Sequence, residues 1–276
     1  MKKHLSTILL VLILIVGLSL MLYPTFANWW NSFHQSRAIA DYDHALDNLS
    51  EEDYSHLFED ALEYNRRLNQ VRFPLMYFDE VDGYFDLLNV TGNGVMGYID
   101  IPKIGVELPV YHGTSEGVLQ IAVGHIQGTS LPTGGEGTHC VLSAHRGLPS
   151  ARLFTDLDKM DIGDVFTLSV IDRVLTYQVD QILIVLPSEV EPLYTVEGED
   201  YCTLVTCTPY GINSHRMLVR GTRIDNMEEV KIRRVTADAV QIEPVLVAPV
   251  VAAPMLLALL IMLLLPKKKT NRRYDL

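Results

Sequence analysis

The stretch TLVTCTPYGINSHRMLVRG, residues 203–221, carries a thiol at Cys207 and a guanidinium at Arg216, with a Pro-Tyr-Gly turn between them. A thiol attacks as its thiolate, and only where a substrate can reach it. Cys207 runs directly into Thr208-Pro209-Tyr210-Gly211, so it stands at the end of a strand. Side chains alternate across a strand, which sends Cys202 and Cys207 to opposite faces. If Cys202 faces a core, Cys207 faces outward. Arg216 stays protonated and cannot serve as a base. Across a hairpin it can return to face Cys207 and hold a developing oxyanion or a substrate carbonyl. An ordinary surface arginine fits the same spacing.

A nucleophilic thiol also needs a proton acceptor. Nine histidines are present, so composition does not choose one. His145 lies in VLSAHRGLP, where an apolar strand meets a turn with Gly147 and Pro149. Strand ends are where a rigid scaffold holds reactive groups. His112 and His125 also border glycine-rich turns and stay open as alternatives. The three cysteines are Cys140, Cys202 and Cys207. An odd number outside the cell leaves at least one thiol free or paired between chains. Cys140 precedes His145 by the same interval as Cys202 precedes Cys207. Were those strands parallel neighbours, Cys140 and Cys202 would meet inside, bridged or as two small buried hydrophobes.

The elements that must position these groups begin at a membrane. Leu5 to Leu22 is almost purely apolar, and Val245 to Leu265 carries no charge. About 20 such residues span a bilayer. Lys2, Lys3 and His4 precede the first run; Lys267, Lys268, Lys269, Arg272 and Arg273 follow the second. Basic flanks stay cytoplasmic, so both termini lie inside and the middle lies outside. Thr25-Phe26-Ala27 could pass for a signal-peptide cleavage site, but the apolar run is longer than a usual signal core. The formal charge is −12 with histidine neutral, and the tails hold many of the basic residues. An acidic outer region excludes nucleic acid as a partner.

Between the two spans, apolar residues recur at three-to-four spacing over residues 34–70, predicting two helices with a break near Ser50. Ser50 followed by Glu51, Glu52 and Asp53 reads as an N-cap with an acidic first turn. Residues 71–94 hold Pro74, Asp82-Gly83 and Gly92-Asn93-Gly94, a loop or lid. From Val95 the pattern turns to β. Phe166, Leu168 and Val170 alternate with polar neighbours, and so do Tyr177 and Val179. Short strands with Gly/Pro turns predict an all-β barrel or sandwich.

At this point the residues resemble a known family. TLVTCTPYGINSHRMLVRG and the stretch from GVMGYIDIPKIGVELPVYHG through THCVLSAHRGLPSARLF resemble the class C sortases, the pilin-polymerising cysteine transpeptidases of Gram-positive bacteria. The likeness covers about residues 94–224, and paired membrane segments fit the same class. It implies a mainly β fold, an eight-stranded sortase-type barrel with an N-terminal helical segment and two flanking transmembrane helices. The divisions would be 1–24 cytoplasmic start and anchor, 25–93 extracellular helices and lid-like loop, 94–232 catalytic barrel, 233–244 linker, 245–265 second transmembrane helix, and 266–276 basic tail.

The resemblance further implies Cys207 as nucleophile, His145 as acid/base and Arg216 as stabiliser of the tetrahedral intermediate, with Thr206 and Thr208 as groove candidates. The thiol would cleave an LPXTG-like sorting signal after Thr. An amine would resolve the thioester: a pilin lysine or a cell-wall precursor. Neither metal nor cofactor is called for. The catalytic domain would face outward from the plasma membrane. One departure stands out. Class C enzymes usually carry an Asp-Pro-aromatic lid, whereas here the corresponding segment is Phe73-Pro74-Leu75. It would cover the groove without an ionic latch to Arg216. Two other functions use the same residues: a secreted cysteine peptidase with water as acceptor, and a non-catalytic membrane-anchored binding protein.

Overall fold

The structure is a computed structural model in which residues 5–226 are described. The expected second membrane helix at 245–265, its linker 233–244 and the basic tail 266–276 lie outside the described residues. Helix α1, Leu5–Leu46, runs through Pro24 without stopping. An apolar helix tolerates a proline when the freed backbone groups find local partners. The expected division at 24/25 therefore falls inside one helix. Among the described residues α1 alone is long and apolar enough to cross a membrane. The compact unit that carries the barrel begins at Ala27.

The break near residue 50 is present. Helix α2, Glu51–Leu68, opens on a capping box: Asp53 N–H donates to Ser50 Oγ at 3.2 Å, and Ser50 N–H donates to Asp53 Oδ2 at 2.9 Å. Glu51, Glu52 and Asp53 fill the first turn, where the helix dipole favours negative charge. The stripe Phe58, Ala61, Tyr64 and Leu68 is buried against the barrel. Asn65 lies in the same stripe and is satisfied there. Its Nδ2 donates to Leu131 O (3.1 Å) and Thr133 Oγ1 (3.0 Å), and its Oδ1 accepts from Leu131 N–H (2.8 Å). From α1, the Tyr42 hydroxyl donates to Met96 O (3.1 Å) and accepts from Ile171 N–H (2.8 Å). Burial pushes that phenol well above its usual range, so it stays a neutral tether.

The barrel strands are β1 (Val95–Ile101), β2 (Val106–His112), β3 (Val123–His125), β4 (Thr138–Ser143), β5 (Val165–Val170), β6 (Arg173–Val185), β7 (Asp200–Thr208) and β8 (His215–Ile224). They close in the order β1-β2-β3-β4-β7-β8-β6-β5, the eight-stranded barrel expected. Closure leaves no free sheet edge. The β2/β3 and β4/β7 pairs are parallel and the others antiparallel. Inward residues of all eight strands, Val123 of β3 among them, supply one core, which also takes the apolar faces of α1 and α2.

Candidate active site

Three adjacent strands, β4, β7 and β8, form the site. In the parallel β4/β7 ladder Cys140 stands opposite Cys202 and Ser143 opposite Val205. The pairing continues past the end of β4. Ala144 N–H donates to Val205 O at 3.2 Å, and Thr206 Oγ1 donates to Ala144 O at 2.9 Å across the same 62-residue separation. That register carries His145 to the height of Cys207. On the other side the antiparallel β7/β8 ladder sets Cys207 opposite Arg216. Cys207 and Arg216 thus face each other on neighbouring strands, and the loop leaving β4 brings His145 toward their level. Each of the three is half-buried.

Parity decides which face they use. Cys140, Leu142, Cys202, Leu204, Met217 and Val219 point into the main core. Val141, Val205 and Leu218 form a separate apolar cluster with Ile126, Leu183, Val185 and Leu193 packed against it. Val205 and Cys207 share a face, as do Leu218 and Arg216. The apolar cluster is therefore a floor on the outer face, leading away from the three polar groups. Thr206 and Thr208, the groove candidates, are buried with the opposite parity. They point inward with Cys202, because a step of two residues from an inward position stays inward. Thr206 instead fixes the strand that precedes His145.

Arg216 donates from Nη1 to Asn213 O and to His215 O, both at 3.1 Å. These bonds hold the guanidinium to its own turn. Among the described residues its Nε and Nη2 keep their N–H groups for another acceptor. At the hairpin tip the Tyr210 ring lies against Gly147: a Cβ on Gly147 would sit 2.8 Å from Tyr210 Cε2. Gly147 also has φ +76°, a left-handed conformation that other residues rarely adopt. The hairpin that ends β7 is thus packed on the loop that carries His145. Arg146 pairs with Asp158, and Phe154 N–H donates to His145 O at 3.1 Å.

The two alternative histidines, His125 and His112, are structural. His125 is fully buried, with Nδ1 on the Tyr84 hydroxyl (2.8 Å) and Nε2 on Ser130 O (2.9 Å). His112 bridges Gly94 O (2.9 Å) and Leu87 O (2.8 Å), tying the 71–94 loop to β2. Burial holds the His112 imidazole below its usual value. Neither is available at the site. Cys140 and Cys202 meet on the inner face as free thiols, as their spacing anticipated. Burial drives Cys202 well above the ordinary thiol range, so it keeps its proton. Cys207 is the one cysteine that is not buried.

The lid candidates Phe73, Pro74 and Leu75 sit beside this face. A Cβ on Gly128 would lie 2.5 Å from Pro74 O and 2.9 Å from Leu75 Cα, so the segment rests on bare glycine backbone. Ile126, two residues earlier, packs on the outer apolar floor. Phe73 is partly exposed and stacks with Arg72, whose guanidinium carbon is 5.3 Å from the ring centroid. Among the described residues no carboxylate pairs with Arg216. Replacing Gly128 by alanine should lift residues 74–75. The expected result is faster alkylation of Cys207 by a bulky maleimide, several-fold over wild type, read by mass spectrometry. An unchanged rate would mean that the segment does not screen the thiol.

Residues 99–224 match the sortase domain family. Among solved structures, sortase C1 from Streptococcus agalactiae is 49% identical, with TM-score 0.64, over 69% of this chain and 100% of that one. Sortase C from Streptococcus pneumoniae is 44% identical, with TM-score 0.61, over 69% of this chain and 97% of that one. Among curated relatives, Sortase A of Streptococcus agalactiae serotype III is 32% identical over 117 residues, 41% of this chain and 47% of the relative. The chain spans about half to two thirds of the length of the curated relatives it matches. It belongs to the sortase family. Its structural neighbours there are sortases of class C.

Proposed function

We propose that this chain is a membrane-anchored cysteine transpeptidase that joins a sorted surface protein to an amine. The Cys207 thiolate attacks the carbonyl carbon of Thr in an LPXTG-like signal, at the bond from Thr to the next residue. The oxyanion that forms is stabilised by the free N–H groups of Arg216. His145 gives its proton to the departing amine, leaving a thioester on Cys207. An incoming amine attacks the thioester, loses its proton to His145 and frees the thiolate. Atoms balance: one peptide bond breaks, one forms, and the proton returns to the imidazole. The observation that carries this is Cys207 opposite Arg216 on β7 and β8, with His145 just past the end of the neighbouring β4, beside the apolar floor of Val141, Val205 and Leu218. That floor suits the apolar start of a sorting signal.

A pilin lysine is the acceptor we favour. The 44% identical pneumococcal sortase C has a structure described as informing pilin substrate specificity, and the class C neighbours support the same assignment here. We infer that α1 anchors the enzyme by its apolar N-terminal part, with the N-terminus at the inner side and the barrel outside. A test follows from the acceptor. With a sorting peptide alone, slow hydrolysis is expected. Adding a pilin domain bearing its acceptor lysine should turn most product into the isopeptide-linked adduct. Hydrolysis that proceeds equally with and without any amine would make this a peptidase.

A further inference from the structure

We propose that Asn28 and Asn31 of α1 are positioning residues for His145, so that the anchor helix itself completes the site; this rests on the transpeptidase function above. The two lie three apart and so on one face of the helix. Asn31 Nδ2 donates to Ser150 O at 2.9 Å, and Asn28 Oδ1 accepts from Arg152 N–H at 2.9 Å. Both partners are backbone groups, so the amide orientations follow from the chemistry: a carbonyl needs the donor, and an N–H needs the acceptor. Asparagine is a poor choice for a helix interior on propensity. These long-range bonds give the pair a reason to be there.

The loop they grip is the one that follows His145. At its near end Gly147 N–H donates to Thr155 Oγ1 (3.1 Å), and Phe154 N–H donates to His145 O (3.1 Å). Phe154 and Leu153 are buried. Leu153 has φ +41°, a left-handed backbone that a leucine does not hold without external support. The tethers come from two sides: the buried Phe154 fixes the returning end of the loop, and α1 fixes residues 150 and 152. Releasing the second side lets residues 148–153 relax, and the Gly147–Thr155 and His145–Phe154 bonds pass that change to the backbone that carries the imidazole. A displacement of about 1 Å at a reacting group is enough to cost on the order of a hundredfold in rate.

The test uses the full chain in nanodiscs, with a sorting peptide and an amine acceptor. For Asn28→Ala/Asn31→Ala we expect kcat lower by about ten- to a hundredfold. KM for the peptide and the thermal midpoint should stay near wild type, since substrate floor and core are untouched. Asn28→Asp keeps an acceptor for Arg152 N–H and should retain most of the rate; Asn31→Asp loses its donor and should fall toward the alanine variant. Wild-type kcat in the double variant overturns the proposal, as does a change confined to KM or equal behaviour of the two aspartate variants. A wild type that reacts with no peptide counts against the transpeptidase function instead. The tether is then decided by amide exchange: faster exchange across residues 145–154 in the double variant supports it, and unchanged exchange overturns it.

Discussion

Replacing Cys207 with alanine is expected to remove transfer and hydrolysis together, by on the order of 10⁵-fold or more, while the barrel stays folded. A nucleophile that forms the covalent intermediate has no substitute, and what survives its loss comes from binding and oxyanion contacts alone. The structural cost should be small. Cys207 is half-buried at the outer end of β7 and its side chain belongs to no core cluster. Cys202 is the matched control. It is fully buried beside Cys140, so Cys202→Ala should lower the thermal midpoint yet leave the acyl-enzyme able to form. Kinetics and thermal melts of the two variants check the pair. Activity surviving in Cys207→Ala would mean that another group attacks.

Arg216 carries the second large effect. Arg216→Ala should lower kcat by about 10²–10³-fold with little change in KM, the loss typical of one oxyanion donor. Arg216→Lys should recover little of it. The guanidinium spends Nη1 on Asn213 O and His215 O and offers Nε and Nη2 elsewhere. A lysine ammonium cannot keep two turn carbonyls and still present a planar pair of donors. Steady-state kinetics with a sorting peptide separates the outcomes. A full rescue by lysine would show that charge alone is needed at this position, and a KM effect alone would make Arg216 a binding residue.

Much of the site was legible because strands obey simple periods. A step of five along β7 separates Cys202 from Cys207 by face, and the equal spacing of Cys140 to His145 anticipated the parallel β4/β7 register. The helix break at Ser50 was legible from its cap and acidic first turn. Four features were not. Thr206 looked like groove because it neighbours Cys207, yet parity turns it inward. The helix across 24–34 was hidden because Pro24 and the polar and aromatic residues after it break the apolar run that signals a span. The bonds from Asn28 and Asn31 link residues 119 and 124 apart in sequence, beyond the reach of any local pattern. The lid's seat on Gly128 is hidden for the same reason; the glycine reads as a turn until the approaching backbone is seen.

The most direct measurement is intact-mass analysis of the full chain mixed with an LPXTG-type peptide and no amine. The predicted result is a mass increase equal to the peptide through its Thr, mapped to Cys207, labile to hydroxylamine and absent from Cys207→Ala. An alkylatable Cys207 that gains no such adduct with any sorting peptide, or an adduct on Cys140 or Cys202, would contradict the assignment of the nucleophile and of the reaction.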